Sequence, residues 1–338
     1  MKIALVSPHT LPVCRGNSLT VQRLYDGLLN RGHSVRLFGS TKDAPEDLAA
    51  FGPDLMHSLH ALQPHAWLQQ SGMLGTCPWV VTMTGTDYNS GVDPEALQAL
   101  SDVRALIVFH AEAATRVREC FADLADRVHI IPQAVQMPER MTAIREDARR
   151  AGDLAPDEFV ILMAAGLRPV KNIAYALEAF SRFKQKHRQA RMLLAGPCLD
   201  EDEGQRVLAA GEGINGFSYL GELPHERVLD LMQAANIFLN TSLHEGMPGA
   251  VMEAMAAGLA VIATDVPGNR ALIANMRTGV LVPLHVPHVL SEAFEMLAAR
   301  AELRQQLGMC AREEVQARYG CAAELQALEA LYIKVLNP

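Results

Sequence analysis

The stretch LNTSLHEGMPGAVMEAMAAGLAVIATDVPGN, from Leu239 to Asn269, decides how the rest of the chain is read. Its first residues, with Ile237 and Phe238 before them, form a short apolar run of buried-strand composition. HEGMPG, from His244 to Gly249, contains two glycines and a proline, which excludes a helix interior there. Pro248 suits the first turn of a helix that runs through AVMEAMAAG to Gly258, and AVIATDV returns to strand composition. Strand, loop, helix and strand in that order are the repeating unit of a parallel sheet. Glu245 then lies in the loop at the strand's carboxyl end and Glu253 inside the helix. The unpaired amides at the helix start and the helix dipole face the same corner.

The same rhythm extends in both directions. KIALVSP, SVRLFGS, DLMHSLH, WVVTMTG, ALIVFH and VHIIPQA alternate with helical patterns in the first half; FVILMAAG, RMLLAGP, FSYLGEL, IFLNTS, AVIATDV and GVLVP do so in the second. The polar stretch VQMPERMTAIREDARRAGDLAPDE separates them. We expect an α/β chain with a doubly wound first domain over residues 1–138, a linker over 139–157 and a second such domain over 158–310. The amphipathic C-terminal region carries Leu303, Leu307, Leu325, Leu328 and Leu331, and a helix over 311–338 is expected to pack back on the first domain. Ligands of such sheets sit at the carboxyl ends of the strands, so the expected site is a cleft between the two domains.

Composition narrows the function classes. A chain of 338 residues has enough length for two cores, and a net charge of −8 disfavours nucleic acid as a partner. Six scattered cysteines, with no C-x-x-C pair, read as reduced thiols of a cytoplasmic protein. Ser7, Pro8 and His9 interrupt the N-terminal apolar run before a secretory core is complete, and no run is long enough to span a membrane. The basic run SRFKQKHRQAR, from Ser181 to Arg191, reads as a solvated helix end rather than a peripheral membrane contact. Asp200 and Asp202 have a D-x-D spacing, but they open a helix, where acids are favoured by the dipole, and no metal is expected there.

Several residues are candidates for chemistry. A carboxylate accepts two hydrogen bonds from a vicinal diol, and loop amides take hydroxyls or phosphate oxygens, so Glu245 and Glu253 suit a donor with a polyol and a diphosphate. In AAGLRPVKN, Arg168 and Lys171 lie on a strand-to-helix turn and suit a diphosphate leaving group. In CRGNSLT, Gly16 allows close backbone approach and Asn17 or Ser18 suits a helix cap. That loop lacks the G-x-G-x-x-G pattern of a dinucleotide cofactor site. Carboxyl-end positions of the first domain add His60, Thr84, Thr86, Asp87 and His110, whereas His57 reads as a packed strand residue.

These residues resemble glycosyltransferase family 4, retaining enzymes of the GT-B fold, in which two Rossmann-like doubly wound domains face a central cleft. The likeness runs from LVSP and the glycine loop through VHIIPQAV to the Leu239–Asn269 stretch, where Glu245 and Glu253 fall on the glutamates of the family's E-x7-E signature. The resemblance implies that Glu245 and the amides of Gly246, Met247, Pro248 and Gly249 meet the donor sugar, with proline contributing only its carbonyl or ring. It further implies that Glu253 holds the ribose, that Arg168 and Lys171 neutralise the diphosphate, and that Gly166, Gly16 and Asn17 line the donor site. His60 is then a catalytic candidate, with Thr84, Asp87 and His110 on the acceptor side. The implied reaction is a metal-independent transfer, without a cofactor, from a UDP-sugar or other nucleotide-sugar to a small-molecule or glycan acceptor, the transferred group being a hexosyl or N-acetylhexosaminyl unit.

The chain departs from the family pattern at named places. Gly166 stands where the family usually has Arg, with Arg168 two positions later; Thr84 stands for a frequent His and Gln133 for a frequent Asn. RGNSLT, HSLHA, TGTD and GLRPVKN are closer to a subgroup that includes the selenosugar synthase of selenoneine biosynthesis, which implies UDP-N-acetylglucosamine with seleno- or thiophosphate as an alternative. A nucleotide-sugar epimerase and a non-catalytic nucleotide-sugar-binding protein are the other readings.

Overall fold

The computed structural model describes residues 1–12, 16–89, 99–136 and 145–337. The chain divides into two compact units, Met1–Gln136 with Tyr319–Pro338, and Met137–Arg318.

The first unit contains β1 (Lys2–Ser7), β2 (Ser34–Gly39), β3 (Leu55–Leu59), β4 (Trp79–Thr82), β5 (Val103–Val108) and β6 (Val128–Ile130), paired in parallel in the order β2-β1-β3-β4-β5-β6. A parallel sheet is covered on both faces, which is why its strands read as continuous apolar runs. Along β1, Ala4 and Val6 enter one core with Trp79 and Phe121, while Ile3 and Leu5 enter the other. That second core is closed by the C-terminal helix Cys321–Leu336, whose Leu325, Leu328, Leu331 and Tyr332 pack among Val21, Leu24 and Leu28. A Cβ on Gly27 would lie 2.6 Å from Leu325 Cδ1, so the glycine lets the helices approach. Arg23 and Glu324 pair at 2.8 Å across the same contact.

His57, on β3, lies inside this core and hydrogen-bonds Tyr332 Oη at 2.6 Å through Nδ1 and Thr82 Oγ1 at 2.7 Å through Nε2. Burial pushes its imidazole down to about 3, so the ring stays neutral. It is the packed strand residue expected from the sequence.

The second unit contains β7 (Phe159–Ala164), β8 (Ala190–Ala195), β9 (Phe217–Tyr219), β10 (Ile237–Asn240), β11 (Ala260–Thr264) and β12 (Val280–Val282), again all parallel, in the order β12-β11-β10-β7-β8-β9. The chain runs outward from β7 to β9, then returns to start β10 on the other side of β7. Strand order therefore reverses between β7 and β10, the place where sheets of this kind form a ligand crevice outside the strands' carboxyl ends. The core beneath it joins Ile161, Ile237, Leu239 and Ile262 to Phe180, Phe183 and Phe294 of the flanking helices.

Two boundaries differ from the sequence expectation. The helix Ala301–Arg318 stays with the second unit, so only the segment from Tyr319 returns to the first. Gly308 fits that helix against the turn after the signature helix, where an added Cβ would lie 2.0 Å from Gly258 O. The stretch expected as a linker contains the helix Arg145–Ala151, and it is anchored rather than free. Arg149 donates to the carbonyl oxygens of Ala234, Ala155 and Glu158 at 2.9, 2.6 and 2.7 Å. An arginine whose two Nη groups end on backbone carbonyls leaves no periodic signal, so the sequence shows only a charged stretch.

Candidate active site

The crevice of the second unit is built from the loops after β7 and β10. After β7, Arg168 is extended and Pro169–Lys171 form one 3-10 turn. After β10, Thr241 Oγ1 donates to Lys171 O at 2.9 Å and Leu243 N donates to Val170 O at 2.8 Å, so the second loop is fastened to backbone carbonyls of the first. This brings Lys171 Nζ to 2.6 Å from Glu245 Oε1. Asn240 Nδ2 and Ser242 Oγ also donate to that oxygen, at 3.2 and 2.6 Å. All three bonds fall on Oε1, and Oε2 has no hydrogen-bond partner among the described residues.

The electrostatics follow from this packing. Burial works to raise the Glu245 carboxyl, but Lys171, Ser242 and Asn240 outweigh it and hold the group below the usual carboxylate range. Beside it, burial lowers His244, and Lys171 and Arg168 lower it further against the opposing effect of Glu245. The Nε of Arg168 is buried without a hydrogen-bond partner among the described residues. A buried donor left unmade costs free energy, so an anion at this corner would satisfy it.

The signature helix spans Gly249–Ala256, with Pro248 as its N-cap residue and Gly258 at φ 71° ending it, close to the expected bounds. Gly246, Met247 and Pro248 are buried. Behind the loop, a Cβ on Gly268 would lie 2.6 Å from Glu245 O and 2.7 Å from Gly246 O, so glycine is required for the start of the helix Pro267–Leu272 to support this peptide. The fully buried Asn269 donates to Thr264 O at 2.9 Å and to Asn240 Oδ1 at 3.2 Å, and Thr264 Oγ1 donates to Ser242 O at 2.6 Å. Glu253 projects from the helix to His225 Nε2, 2.9 Å from its Oε1. Gly166 accommodates Leu199, whose Cδ1 would be 2.6 Å from a Cβ there.

In the first unit, His60 follows β3 in the left-handed region at φ 81°, an unusual conformation for a histidine. Asp87 holds it: Oδ1 lies 2.8 Å from His60 Nδ1 and accepts from Ala61 N, while Oδ2 accepts from Thr84 N and Thr84 Oγ1. A carboxylate only accepts, so the pairing places a proton of His60 Nδ1 toward Asp87. His60, Thr84 and Asp87 are thus brought together. His110 Nδ1 accepts from Ala113 N at 3.1 Å and caps the helix Ala111–Cys120.

One expectation for the glycine loop needs correction. Gly16 is the first residue of the helix Gly16–Asn30, with open space around an added Cβ. Asn17 and Ser18 lie inside the helix instead of capping it, and Ser18 Oγ donates to His9 O at 3.2 Å. Cys14 and Arg15 lie outside the described residues. Gln133 accepts from Thr20 Oγ1 at 3.3 Å. Asp200 caps its helix by accepting from Glu203 N at 2.9 Å, and among the described residues no group of three or more His, Cys, Asp or Glu side chains is arranged to hold a metal ion.

The sequence reading missed Asn240, Ser242, His244, His225 and the Gly268–Asn269 support. Polar residues closing an apolar strand were a usable signal for Asn240 and Ser242. His225 had none, because it leaves a different strand and lies 28 positions from Glu253.

A protein-family model described as Glycosyl transferases group 1 matches residues 144–314, more than half of the chain. A Xenopus tropicalis protein described as glycosyltransferase 1 domain-containing protein 1 is 24% identical over 345 residues, covering 98% of this chain and 97% of that one. Sucrose-phosphate synthase from Thermosynechococcus elongatus has the same fold with a TM-score of 0.86 at 21% identity, over 100% of this chain and 99% of that chain. HepE of Anabaena, solved in complex with UDP and glucose, has a TM-score of 0.77 at 16% identity, over 99% of this chain and 100% of that chain. Two doubly wound parallel sheets, the crevice at the reversal of the second and the matched family model lead to one conclusion: the chain belongs to the group 1 glycosyl transferases and has the GT-B fold.

Proposed function

We propose that this enzyme is a retaining, metal-independent hexosyl- or N-acetylhexosaminyl-transferase whose donor is a UDP-sugar. The observation that carries the reading is the state of Glu245: Oε1 is saturated by Lys171, Asn240 and Ser242 while Oε2 remains to accept, and Arg168 Nε stands unpartnered in the same corner. Glu245 Oε2 and the amides around Gly246 and Gly249 take sugar hydroxyls. Lys171 and Arg168 take the diphosphate, supplying with fixed cations the charge stabilisation that a divalent ion supplies elsewhere. Glu253 takes the ribose. HepE, which binds UDP and glucose, supports a uridine donor.

In the transfer, the bond between the anomeric carbon and the β-phosphate oxygen breaks as the acceptor bonds to the same face of that carbon. The acceptor's proton passes to the departing phosphate oxygen, giving UDP and a product of retained configuration, with no protein nucleophile. His60, fixed by Asp87, serves the acceptor side as a hydrogen-bonding group. The resolved free cysteines, Cys77, Cys120, Cys198, Cys310 and Cys321, suit a cytoplasmic enzyme, and no helix among the described residues is long and apolar enough to cross a membrane.

The test begins with thermal shifts for a panel of nucleoside diphosphates and their sugars, in which UDP and one UDP-sugar are expected to stabilise most. Transfer is then assayed against sugars, polyols, thiophosphate and selenophosphate, with the product anomer read by NMR. Glu253→Ala and Lys171→Ala are each expected to lower transfer at least about a hundredfold. Near-normal turnover by both, or an inverted anomer, would refute the reading.

A further inference from the structure

Glu253 is held by a residue from a distant part of the sheet. His225 is the first residue of the helix His225–Ala234, which follows β9, and β9 is separated from β10 by β7 and β8. His225 Nε2 lies 2.9 Å from Glu253 Oε1, and Oε2 of Glu253 has no hydrogen-bond partner among the described residues. The side chains are 36% and 18% exposed, so the pair is open enough to contribute little to stability and sheltered enough to keep its geometry. The bond to Glu253 holds His225 above the ordinary histidine range, against burial and with a smaller contribution from Glu226.

We propose that His225 is a positioning residue that fixes the Glu253 carboxylate so that Oε2 and the second lone pair of Oε1 meet the vicinal hydroxyls of the donor's ribose. This rests on the proposed assignment of the ribose to Glu253. A glutamate on a helix surface samples several rotamers, and binding a diol through both oxygens requires one of them. A donor that already occupies Oε1 from the side removes that freedom before the ligand arrives, which lowers the ordering cost of binding. Either protonation state of the ring serves, because the neutral Nε2–H tautomer and the imidazolium both donate from Nε2. The other ring nitrogen is turned away from this bond, so His225 acts through Glu253.

The test uses the full chain and two probes, UDP and 2′-deoxy-UDP, with dissociation constants measured by calorimetry for wild type, His225→Ala, His225→Gln, Glu253→Ala and the double variant His225→Ala/Glu253→Ala. Melting temperatures establish that each variant is folded. Wild type is expected to prefer UDP about tenfold or more, the value of one charge-assisted hydrogen bond. Glu253→Ala should erase the preference. His225→Ala should reduce it to about threefold or less, and His225→Gln, which keeps an N–H donor, should recover most of it. In the Glu253→Ala background, removing His225 should change neither constant. A merely structural role would weaken both ligands equally, so an unchanged UDP to 2′-deoxy-UDP ratio in His225→Ala overturns the inference while leaving the ribose assignment intact. An unchanged ratio in Glu253→Ala, or no preference in wild type, overturns the assignment and the inference with it.

Discussion

Replacing Lys171 by Met removes the cation from a pair whose side chains are only 17% and 12% exposed. Glu245 keeps the donors Asn240 and Ser242 at 3.2 and 2.6 Å but loses the charge that opposed its burial. Deleting one partner of a buried ion pair costs about 3–5 kcal/mol. Protonation of the stranded carboxyl limits that cost: at pH 7 it is capped near the free energy of protonating a group of ordinary pKa about 4.3, or about 3.7 kcal/mol. With two hydrogen bonds remaining, we expect about 2–3 kcal/mol, which lowers the melting temperature of a unit of this size by about 5–12 °C. The sign with pH is fixed. In wild type the depressed Glu245 pKa contributes stability above the carboxylate range that is lost as pH falls through the folded value. In the variant the carboxyl is raised, and its penalty is relieved as pH falls, so the gap between the two proteins narrows to about 1 kcal/mol at pH 5. Lys171→Met/Glu245→Gln should recover most of the stability, giving a coupling of about 1.5 kcal/mol or more, without recovering transfer. Thermal unfolding at pH 7.5 and pH 5, with UDP-sugar turnover alongside, reads all three quantities. A melting point within 2 °C of wild type (a shift below about 1 kcal/mol) at pH 7.5, or no recovery in the double variant, refutes the reasoning.

His57 titrates in the opposite sense to a stabilising cation. Held down to about 3 by burial, it contributes nothing unfavourable above about pH 6.5, and below that the unfolded chain binds a proton that the native first unit refuses. Urea unfolding of that unit should therefore lose about 1 kcal/mol per pH unit more in wild type than in His57→Gln between about pH 6 and 4.5; parallel pH profiles would contradict this. Gly268→Ala places a Cβ 2.6 Å from Glu245 O, and since backbone must move to admit it, UDP affinity and turnover should each fall at least about tenfold while His60-side variants leave UDP affinity alone. Gly308→Ala meets Gly258 O at 2.0 Å and should cost about 1–3 kcal/mol of second-unit stability, read as a lowered melting temperature.

Much of this protein is legible without coordinates because parallel sheets write themselves into the chain. Each strand is buried on both faces and must be apolar throughout, and each crossover needs a helix, so KIALVSP or FVILMAAG followed by a helical pattern identifies the α/β architecture and the number of strands. HEGMPG marks a strand-to-helix turn by its glycines and proline, and Glu245, Glu253 and Lys171 stand out there for the same local reason. Strand order is a different matter. Nothing in residues 159–240 says that β10 lies beside β7 rather than β9, yet that adjacency alone brings Lys171 onto Glu245 across 74 positions. The bond between His225 and Glu253, the return of Cys321–Leu336 to the first core and the parting of that helix from Ala301–Arg318 arise in the same way. Hydrophobic periodicity records which face of an element is buried; it carries no address for the element that covers it, and pairings between loops are set only when the sheet has assembled.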